Sequence, residues 1–357
     1  MDIQTIDHLE YYVADAEQTA RELRDSFGFT MHGQGDPDTG LAGCRSILLR
    51  QHEITLLVTS SVGAHRADEY VRRHGDGVAV VGLGVPDAAA AFAEAVERGA
   101  LPVEPPMTLD GPGGRVTFAS VQGFGDVAHR FTSRERPDGQ FAPGVIAEHG
   151  AGLRGTGLLR TIDHLAICVP AGTLRPTVEA YREIFGLPKM FEERIIVGAQ
   201  AMESEVVQSQ SRGVTFTIIE PDTSRAPGQI DRFIANHDGA GVQHVAFLTE
   251  DIAAGVRDCT DRGVGFLATP ETYYDDLPGR LGSVGVPLET LRELSILADR
   301  DYAGVMLQIF TESVHPRRTL FYELIERRGA RTFGTGNIKA LYEAVERQQV
   351  ADQAARR

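Results

Sequence analysis

The sequence predicts an α+β protein built from two copies of one module, in which curved mixed sheets wrap around an interior cleft. Its length agrees with this, because 357 residues correspond to about two domains at roughly 100–200 residues each. An internal repeat is stronger evidence: the run at 5–13 reads TIDHLEYYV, and the run at 161–169 reads TIDHLAICV. The hydrophobic fraction of 42% is enough for a buried core in each copy.

Both copies open with the same pair of elements. The two repeated runs are rich in residues that favour strands. Each is followed by a stretch of helical periodicity that ends in Phe-Gly, at 17–28 in the first copy and at 178–186 in the second. The sequence therefore predicts a strand and then a helix at the start of each half.

A second strand and helix repeat further along each copy. The segments 75–83 and 239–247 align, and each predicts a strand that leads into a helix. Asp87 and Asp251 are the expected N-caps, since a carboxylate accepts hydrogen bonds from the amides of the first turn. Each helix is expected to stop at the Arg-Gly pair that follows, because glycine adopts the left-handed conformation found after helix ends.

The repeat also sets the expected domain boundaries. A β-rich run closes each half, at 127–132 and at 306–311, and we align these two runs. We expect a first domain at 1–150 and a second at 158–357, joined by a glycine-rich linker and ending in a C-terminal helix that begins near Ile338. This duplicated arrangement resembles the vicinal-oxygen-chelate superfamily.

Charge and composition narrow the class of partner. The chain carries 35 basic and 50 acidic residues, a net charge of −15, which repels nucleic acid and anionic membranes and favours a small-molecule ligand. No apolar run approaches the roughly 20 residues that span a bilayer, and no signal peptide is recognisable, so we expect a cytoplasmic protein. Three scattered cysteines fit a reducing compartment: Cys44, Cys168 and Cys259.

The second half contains the residues for a metal site. His164 lies on its first predicted strand and His244 on the strand after the second repeat, whereas the first half has His8 but Val80 in the corresponding second position. Two imidazoles and a carboxylate form the facial triad of non-haem iron proteins, which leaves positions open for substrate and dioxygen. We expect His8 to be a packed core residue.

Glu323 is the expected carboxylate of this site. Strand alternation places it on one face with Phe321 and Ile325, and an apolar face would make its burial costly without a cation. Glu326 lies on the other face beside two arginines and is expected to be a solvated charge. Zinc or nickel remains open, because the same donor set suits those metals.

Four motifs in order give the chain a resemblance to the 4-hydroxyphenylpyruvate dioxygenase family: GAGVQH at 239–244, LQIFT at 307–311, FYELIER at 321–327 and FGTGN at 333–337. The resemblance covers essentially the whole chain. It implies that 4-hydroxyphenylpyruvate and dioxygen are the substrates and that Fe(II) is held by His164, His244 and Glu323. The residues assigned to the substrate pocket are Ser204, Thr217, Ile219, Gln229, Gln243, Gln308, Phe310, Phe321, Phe333 and Ile338.

The chain departs from the homogentisate-forming members of that family. Where they have Pro-Leu-Asn-Glu-Pro, this chain has Thr217 and Ile219 in place of proline and asparagine, and Ile338 replaces a phenylalanine. This combination is similar to the branch of the family that hydroxylates the benzylic carbon and forms 4-hydroxymandelate, which supplies 4-hydroxyphenylglycine for peptide antibiotics. Branched aliphatic side chains would let the ring settle with its CH₂ group facing the oxidant, and small shifts of a reacting pair change rates strongly.

Other functions remain open at this point. The first is the homogentisate-forming dioxygenase of tyrosine catabolism, and the second is a glyoxalase or catechol-cleaving enzyme, which would not explain the motifs after Leu307. A non-catalytic protein that sequesters a ligand would not need the triad. We expect the first half to serve as scaffold, with a homodimer surface left open, and the C-terminal helix to act as a lid.

Overall fold

A computed structural model describes residues 1–149, 157–334, 336, 337 and 339, and of Asp276 only the backbone. Apart from Lys339, the C-terminal helix predicted from Ile338 onward therefore lies outside the described residues, as does most of the predicted linker. The domain boundaries at 150 and 158 stay predictions. None of the helices among the described residues is long and apolar enough to cross a membrane.

The first half contains nine strands and three α-helices among its described residues. In chain order they are β1 (Thr5–Tyr12), α1 (Ala16–Phe27), β2 (Thr30–Gly35), β3 (Cys44–Gln51), β4 (Ile54–Ser61), α2 (Arg66–His74), β5 (Gly77–Gly84), α3 (Ala88–Glu97), β6 (Pro102–Gly111), β7 (Gly114–Gln122), β8 (Ala128–Arg134) and β9 (Ala147–Glu148).

The second half repeats this order with two extra helices before its last three strands. Its elements are β10 (Leu159–Cys168), α4 (Leu174–Glu183), β11 (Lys189–Val197), β12 (Gln200–Gln208), β13 (Thr215–Pro221), α5 (Gln229–His237), β14 (Gly241–Thr249), α6 (Ile252–Asp261), α7 (Glu271–Leu281), α8 (Leu288–Glu293), β15 (Leu297–Arg300), β16 (Val305–Phe310) and β17 (Phe321–Arg328).

Each half folds into one curved mixed sheet, and the two sheets have the same strand order. The first runs β6-β7-β8-β5-β1-β4-β3-β2-β9, and the second runs β15-β16-β17-β14-β10-β13-β12-β11 when read in the same direction. In both sheets the first strand pairs in parallel with the fourth strand and antiparallel with the fifth. The predicted fold class, two duplicated modules of α+β type, is confirmed.

The helix boundaries follow the local signals in the sequence. The Asp87 side chain accepts a hydrogen bond from the amide of Ala90, and the Asp251 side chain accepts one from the amide of Ala254, both at 3.0 Å. Gly28 ends α1 with a φ of 76°, in the left-handed region where an L side chain would be strained. The predicted N-caps and this predicted end are confirmed.

The alignment of the two closing runs is wrong. Strand β8 pairs in parallel with β5, and the strand that pairs in the same way with β14 is β17, whereas β16 corresponds to β7. The helices α7 and α8 are inserted before β15, so the offset between the two copies grows in this region. Composition alone does not distinguish two neighbouring buried strands, which explains the misalignment.

One hydrophobic core joins the two halves. The ring of Phe27 lies 4.9 Å from that of Tyr322, and the ring of Phe29 lies 6.0 Å from that of Phe247, so α1 of the first half packs on the second sheet. At another point of this junction, the imidazoles of His74 and His237 stack at 4.4 Å. The buried cluster that includes these aromatic residues extends through both sheets.

Candidate metal centre and its pocket

Three neighbouring strands carry the three residues of the predicted triad. In the sheet register, Ala246 of β14 lies opposite His164 of β10 on one side and opposite Glu323 of β17 on the other. His244 precedes Ala246 by two residues and so points to the same face. Because the side chain of Ala246 is small, the side chains of His164, His244 and Glu323 can occupy the space above it.

The structure brings these three side chains together. The Nε2 atoms of His164 and His244 each lie 3.4 Å from Oε2 of Glu323, and one donor atom from each residue lies within 4.8 Å of the others. All three residues are buried, with at most 7% of their surface exposed. Burial raises the pKa of Glu323, but the two imidazoles outweigh it and lower that pKa to about 2, so the carboxylate is charged.

The buried negative charge requires a cation. Burial opposes protonation of His164, but the carboxylates of Glu323 and Asp163 outweigh it and raise the pKa of His164 to about 9. Two nitrogen donors and one oxygen donor on one side of a pocket, with the other side open, fit a divalent transition metal. The residues present are therefore suited to binding a divalent transition metal ion.

Asp163 and Arg327 hold His164 in the orientation that a metal ligand needs. Nδ1 of His164 donates to Oδ1 of Asp163 at 2.8 Å, which leaves the lone pair of Nε2 directed at the centre. The Asp163 carboxylate in turn accepts two hydrogen bonds from the guanidinium of Arg327, at 2.6 and 2.8 Å. Sequence reasoning missed both residues, although the Asp-His pair stands in each copy of the repeat.

A chain of hydrogen bonds orients the carboxylate of Glu323. Nε2 of Gln308 donates to Oε1 of Glu323 at 2.7 Å, and Nδ2 of Asn337 donates to Oε1 of Gln308 at 2.9 Å. The hydroxyl of Tyr273 then donates to Oδ1 of Asn337 at 2.9 Å. The segment after β17 and the helix α7 are thereby connected to the triad.

The triad opens into a small pocket. It encloses about 30 Å³ and is lined by His164, Ile195, Ser204, Thr217, Ile219, His244, Gln308, Phe310, Glu323 and Phe333. Ile195 is the lining residue that the sequence analysis did not predict, because nothing in the sequence of β11 distinguishes it from its neighbours. The pocket volume is well below the roughly 300–1,000 Å³ of typical small-molecule sites, so an aryl acid enters only when side chains move.

Six of the predicted pocket residues line this space together with the triad: Ser204, Thr217, Ile219, Gln308, Phe310 and Phe333. The hydroxyl of Thr217 is buried and has no hydrogen-bond partner among the described residues, which leaves it for a ligand. The roles of all these residues in substrate binding stay predictions.

The remaining predicted residues lie around the pocket or outside the description. The ring of Phe321 stacks on the ring of His244 with 4.9 Å between their centres. The side-chain oxygen Oε1 of Gln243 accepts a hydrogen bond from Nδ1 of His244 at 3.3 Å. Gln229 is buried at the first turn of α5, and its amide nitrogen lacks a partner among the described residues. Ile338 is not among the described residues.

The expectation for Glu326 is wrong. Its residue surface is only 5% exposed, and its Oε2 accepts a hydrogen bond from the backbone amide of Ile252 at 2.9 Å. Ile252 is the first residue of α6, so the carboxylate caps the positive end of that helix. Local sequence shows the two arginines beside Glu326 but not the helix that packs against it.

Two family models match the chain. The model described as "Hydroxyphenylpyruvate dioxygenase, HPPD, N-terminal" matches residues 1–139. The model of the glyoxalase, bleomycin resistance protein and dioxygenase superfamily matches residues 161–277. Each half of the duplicated fold is therefore similar to a family that contains dioxygenases.

Whole-chain relatives agree with these models. The chain is 33% identical to 4-hydroxyphenylpyruvate dioxygenase from Aspergillus fumigatus, over 96% of this chain and 92% of that protein. It is 32% identical to the enzyme of the same name from Dictyostelium discoideum, over 97% and 98%. Among solved structures it is 44% identical to a triple mutant of 4-hydroxymandelate synthase from Streptomyces coelicolor, with a TM-score of 0.90 over 98% of this chain and 100% of that one.

Proposed function

This chain belongs to the 4-hydroxyphenylpyruvate dioxygenase family, and from that premise we propose that it converts 4-hydroxyphenylpyruvate and dioxygen to 4-hydroxymandelate and carbon dioxide. The observation that carries the choice of product is the pocket wall beside the triad, where Thr217 and Ile219 stand. The 44% identity to a 4-hydroxymandelate synthase supports the same choice. All atoms balance, because one oxygen atom enters the new carboxylate and the other enters the benzylic hydroxyl.

Fe(II) is the metal that this reaction needs, and the donor set fits it. His164, His244 and Glu323 would hold the ion, and the remaining coordination positions would face the pocket. When bound, Fe(II) supplies sites at which a 2-oxo acid and dioxygen meet, together with the electrons that activate dioxygen.

The residues around the triad fix the direction of its donors. The hydrogen bond from Gln308 to Oε1 of Glu323 leaves Oε2 as the oxygen that faces the two imidazoles. The hydrogen bond from His164 to Asp163 prevents rotation of the ring. Donors that are held before substrate binds need no reorganisation during the reaction, and this lowers the barrier.

The pocket wall decides which carbon of the substrate lies near the reacting oxygen. Thr217 and Ile219 are two residues apart on β13 and so share the face that looks into the pocket. Together with Ile195, Phe310 and Phe333 they form a largely apolar surface that excludes water and contacts the aryl ring. Branched side chains at these points favour a ring position in which the benzylic CH₂ is presented, as 4-hydroxymandelate formation requires.

A product assay tests the proposal. Protein loaded with Fe(II) is incubated with ascorbate, air and 4-hydroxyphenylpyruvate, and the products are separated by chromatography and identified by mass. We expect 4-hydroxymandelate as the main product. Homogentisate would overturn the choice of product while leaving the family and the triad in place, and the absence of turnover would overturn the substrate assignment.

Substitution of Ile219 tests the pocket argument. Ile219→Asn introduces the amide found in homogentisate-forming members, and we expect the share of ring-hydroxylated products to rise at least about tenfold, equal to ~1.4 kcal/mol between competing barriers. Ile219→Val is the matched control, because it removes one methyl group and keeps the branched apolar surface. An unchanged product ratio in Ile219→Asn would show that this position does not direct the reaction.

The second candidate is formation of homogentisate, as in tyrosine catabolism. It is favoured by the curated relatives, which carry the name 4-hydroxyphenylpyruvate dioxygenase and match at least 96% of this chain. The same product assay separates the two candidates. A role in making 4-hydroxyphenylglycine for peptide antibiotics depends on the first outcome and forms part of that proposal.

A further inference from the structure

A second and larger cavity lies in the first half, at the place that corresponds to the metal centre. It encloses about 440 Å³. In the register of the first sheet, Gly82 lies opposite His8 on one side and opposite Arg130 on the other, as Ala246 does between His164 and Glu323. Arg130 therefore occupies the position of the carboxylate ligand.

Beside this cavity, the first half has kept part of the arrangement of the metal centre and has lost the rest. Nδ1 of His8 lies 2.7 Å from Asp7, and Arg134 donates two hydrogen bonds of 3.0 Å to the Asp7 carboxylate, which reproduces the support of His164. The guanidinium of Arg130, however, donates to Glu10 at 2.7 Å inside the cavity. A fixed cation at the ligand position excludes a metal ion and leaves a polar floor.

The mouth of this cavity carries one cation and one anion. Nη1 of Arg66 lies 3.6 Å from Oε1 of Glu104, and 35% and 46% of the two side chains are exposed. Arg66 begins α2, as Gln229 begins α5 in the second half. The Nη2 atom of Arg66 is shielded from solvent and has no hydrogen-bond partner among the described residues, so the guanidinium has unused donors.

Between the floor and the mouth the walls are mostly apolar, with Tyr12, Ser46 and His65 as polar side chains among them. The larger apolar side chains on them are Leu41, Leu57, Leu109, Phe118, Phe141 and Ile146. The two guanidinium groups and the two carboxylates that line the cavity give it no net charge. A simple anion would face Glu10 and Glu104, and a simple cation would face Arg66 and Arg130, so neither matches the cavity alone.

We propose that this cavity binds a zwitterionic α-amino acid with an aromatic or large aliphatic side chain. The α-carboxylate pairs with the guanidinium of Arg66, the α-ammonium pairs with the carboxylate of Glu104, and the side chain lies against Phe118 and Phe141. A volume of about 440 Å³ is within the range of small-molecule sites. Arg66 donates through Nε to the hydroxyl of Tyr12, and Oε2 of Glu104 accepts from the hydroxyl of Ser120, so Nη2 of Arg66 and Oε1 of Glu104 are the atoms that meet the ligand.

A single tryptophan can report binding at this place, since the chain contains none. Met107 lines the mouth and is 54% exposed, so Met107→Trp puts the fluorophore beside the proposed ligand. The Fe(II)-loaded full chain carrying this substitution is titrated with L-phenylalanine. We expect a saturable change in tryptophan emission. Binding seen by calorimetry without any change in emission would place the amino acid elsewhere and overturn the proposal.

Two analogues of the probe test the charge pattern. 3-Phenylpropionate lacks the ammonium group and phenethylamine lacks the carboxylate, while both keep the aryl ring. We expect each to bind at least about tenfold more weakly than L-phenylalanine, because one charge-assisted hydrogen-bonded pair is lost. Equal affinity for either analogue would contradict a site for zwitterions.

Variants of the mouth complete the test. In the tryptophan background, Arg66→Gln and Glu104→Gln should each weaken binding at least about tenfold, and Arg66→Lys should fall between Arg66→Gln and the parent. Arg115→Gln is the matched control, since Arg115 is an exposed arginine of β7 that pairs with Glu135 outside the cavity. Unchanged affinity in both mouth variants would overturn the proposal. None of these residues belongs to the metal centre, so the outcome is independent of the proposed reaction.

Discussion

Asp163 is not one of the three triad residues, but its position beside His164 makes it important for the geometry of the triad. Its carboxylate fixes the tautomer of His164 and is itself held by two hydrogen bonds from Arg327. Replacing Asp163 with asparagine keeps the shape of the side chain but removes its charge. This weakens the hydrogen bond to Nδ1 of His164, which keeps Nε2 of that ring directed at the centre of the triad.

We therefore expect Asp163→Asn to lower the affinity for Fe(II) about 10- to 100-fold, the usual effect of losing such a partner. Anaerobic metal titration measures it directly. The internal repeat offers a matched control: Asp7→Asn makes the same change beside His8, where Arg130 excludes a metal, and should leave the affinity unchanged. Equal losses in the two variants would point to general destabilisation instead.

Single residues could be predicted where the internal repeat or a motif marks them. His164, His244 and Glu323 followed from repeat, spacing and resemblance, and the structure brings them together. Glu326 was misjudged because its partner is the first amide of α6, which is 74 positions away. Long-range partners of this kind leave no local pattern.

At the scale of elements, the segment after β17 is connected to the triad through Asn337. Its amide lies between the hydroxyl of Tyr273 on α7 and the side chain of Gln308, which orients Glu323. This chain of hydrogen bonds connects the segment after β17 to the carboxylate of Glu323.

Asn337→Ala removes this connection while leaving the three ligands intact. We expect kcat/KM to fall roughly five- to tenfold, the equivalent of one hydrogen bond of about 1 kcal/mol, with Fe(II) affinity changed by less than about threefold. Steady-state oxygen consumption and product formation are measured in parallel. Wild-type kinetics in this variant would contradict the assigned connection.

The contact between α2 and α5 should make stability depend on pH. Burial and the neighbouring His74 lower the pKa of His237 to about 4, whereas an unfolded histidine has a pKa near 6.5. Between these values the unfolded chain binds the proton more readily, so this residue makes stability fall as the pH drops from about 6.5 to 4. The full effect is about 3 kcal/mol at most.

His237→Phe keeps a ring in this position and removes the titration. We expect the difference in unfolding free energy between pH 6.5 and pH 4.5 to shrink by up to about 2 kcal/mol, as measured by urea denaturation at each pH. If the slope is the same in His237→Phe and wild type, the buried imidazole does not titrate in this window.

At the scale of the whole molecule, the two modules share one hydrophobic core, because Phe27 at the end of α1 and Phe29 just after it pack against the second sheet. The repeat predicted the duplicated modules, and the comparison with relatives agrees. The register of the last strands was not predictable, since α7 and α8 interrupt the second copy and β-rich runs resemble one another. Arg130 takes the ligand position because β8, and not β7, is the strand of the first half that corresponds to β17.

Metal binding should stabilise the two modules together. At a free Fe(II) concentration 100 times the Kd, the free energy of unfolding should rise by about 2.7 kcal/mol, and both halves should unfold together at the higher denaturant concentration. Anaerobic urea denaturation followed by circular dichroism tests this, with Glu323→Gln as the variant that should show no shift. Two separate transitions, of which only one moves, would mean that the halves fold independently.

The Asp7, His8 and Arg134 arrangement described above has a consequence for protein engineering. The first half already contains one supported imidazole in the geometry of a metal ligand. The register shows what is missing: Val80→His and Arg130→Glu would supply the other two donors, and Glu10→Ala would remove the carboxylate left without its partner. Three substitutions would thus turn the chain into a scaffold with two metal centres related by its internal pseudosymmetry, the second installed in a cavity already large enough for a ligand of the designer's choice.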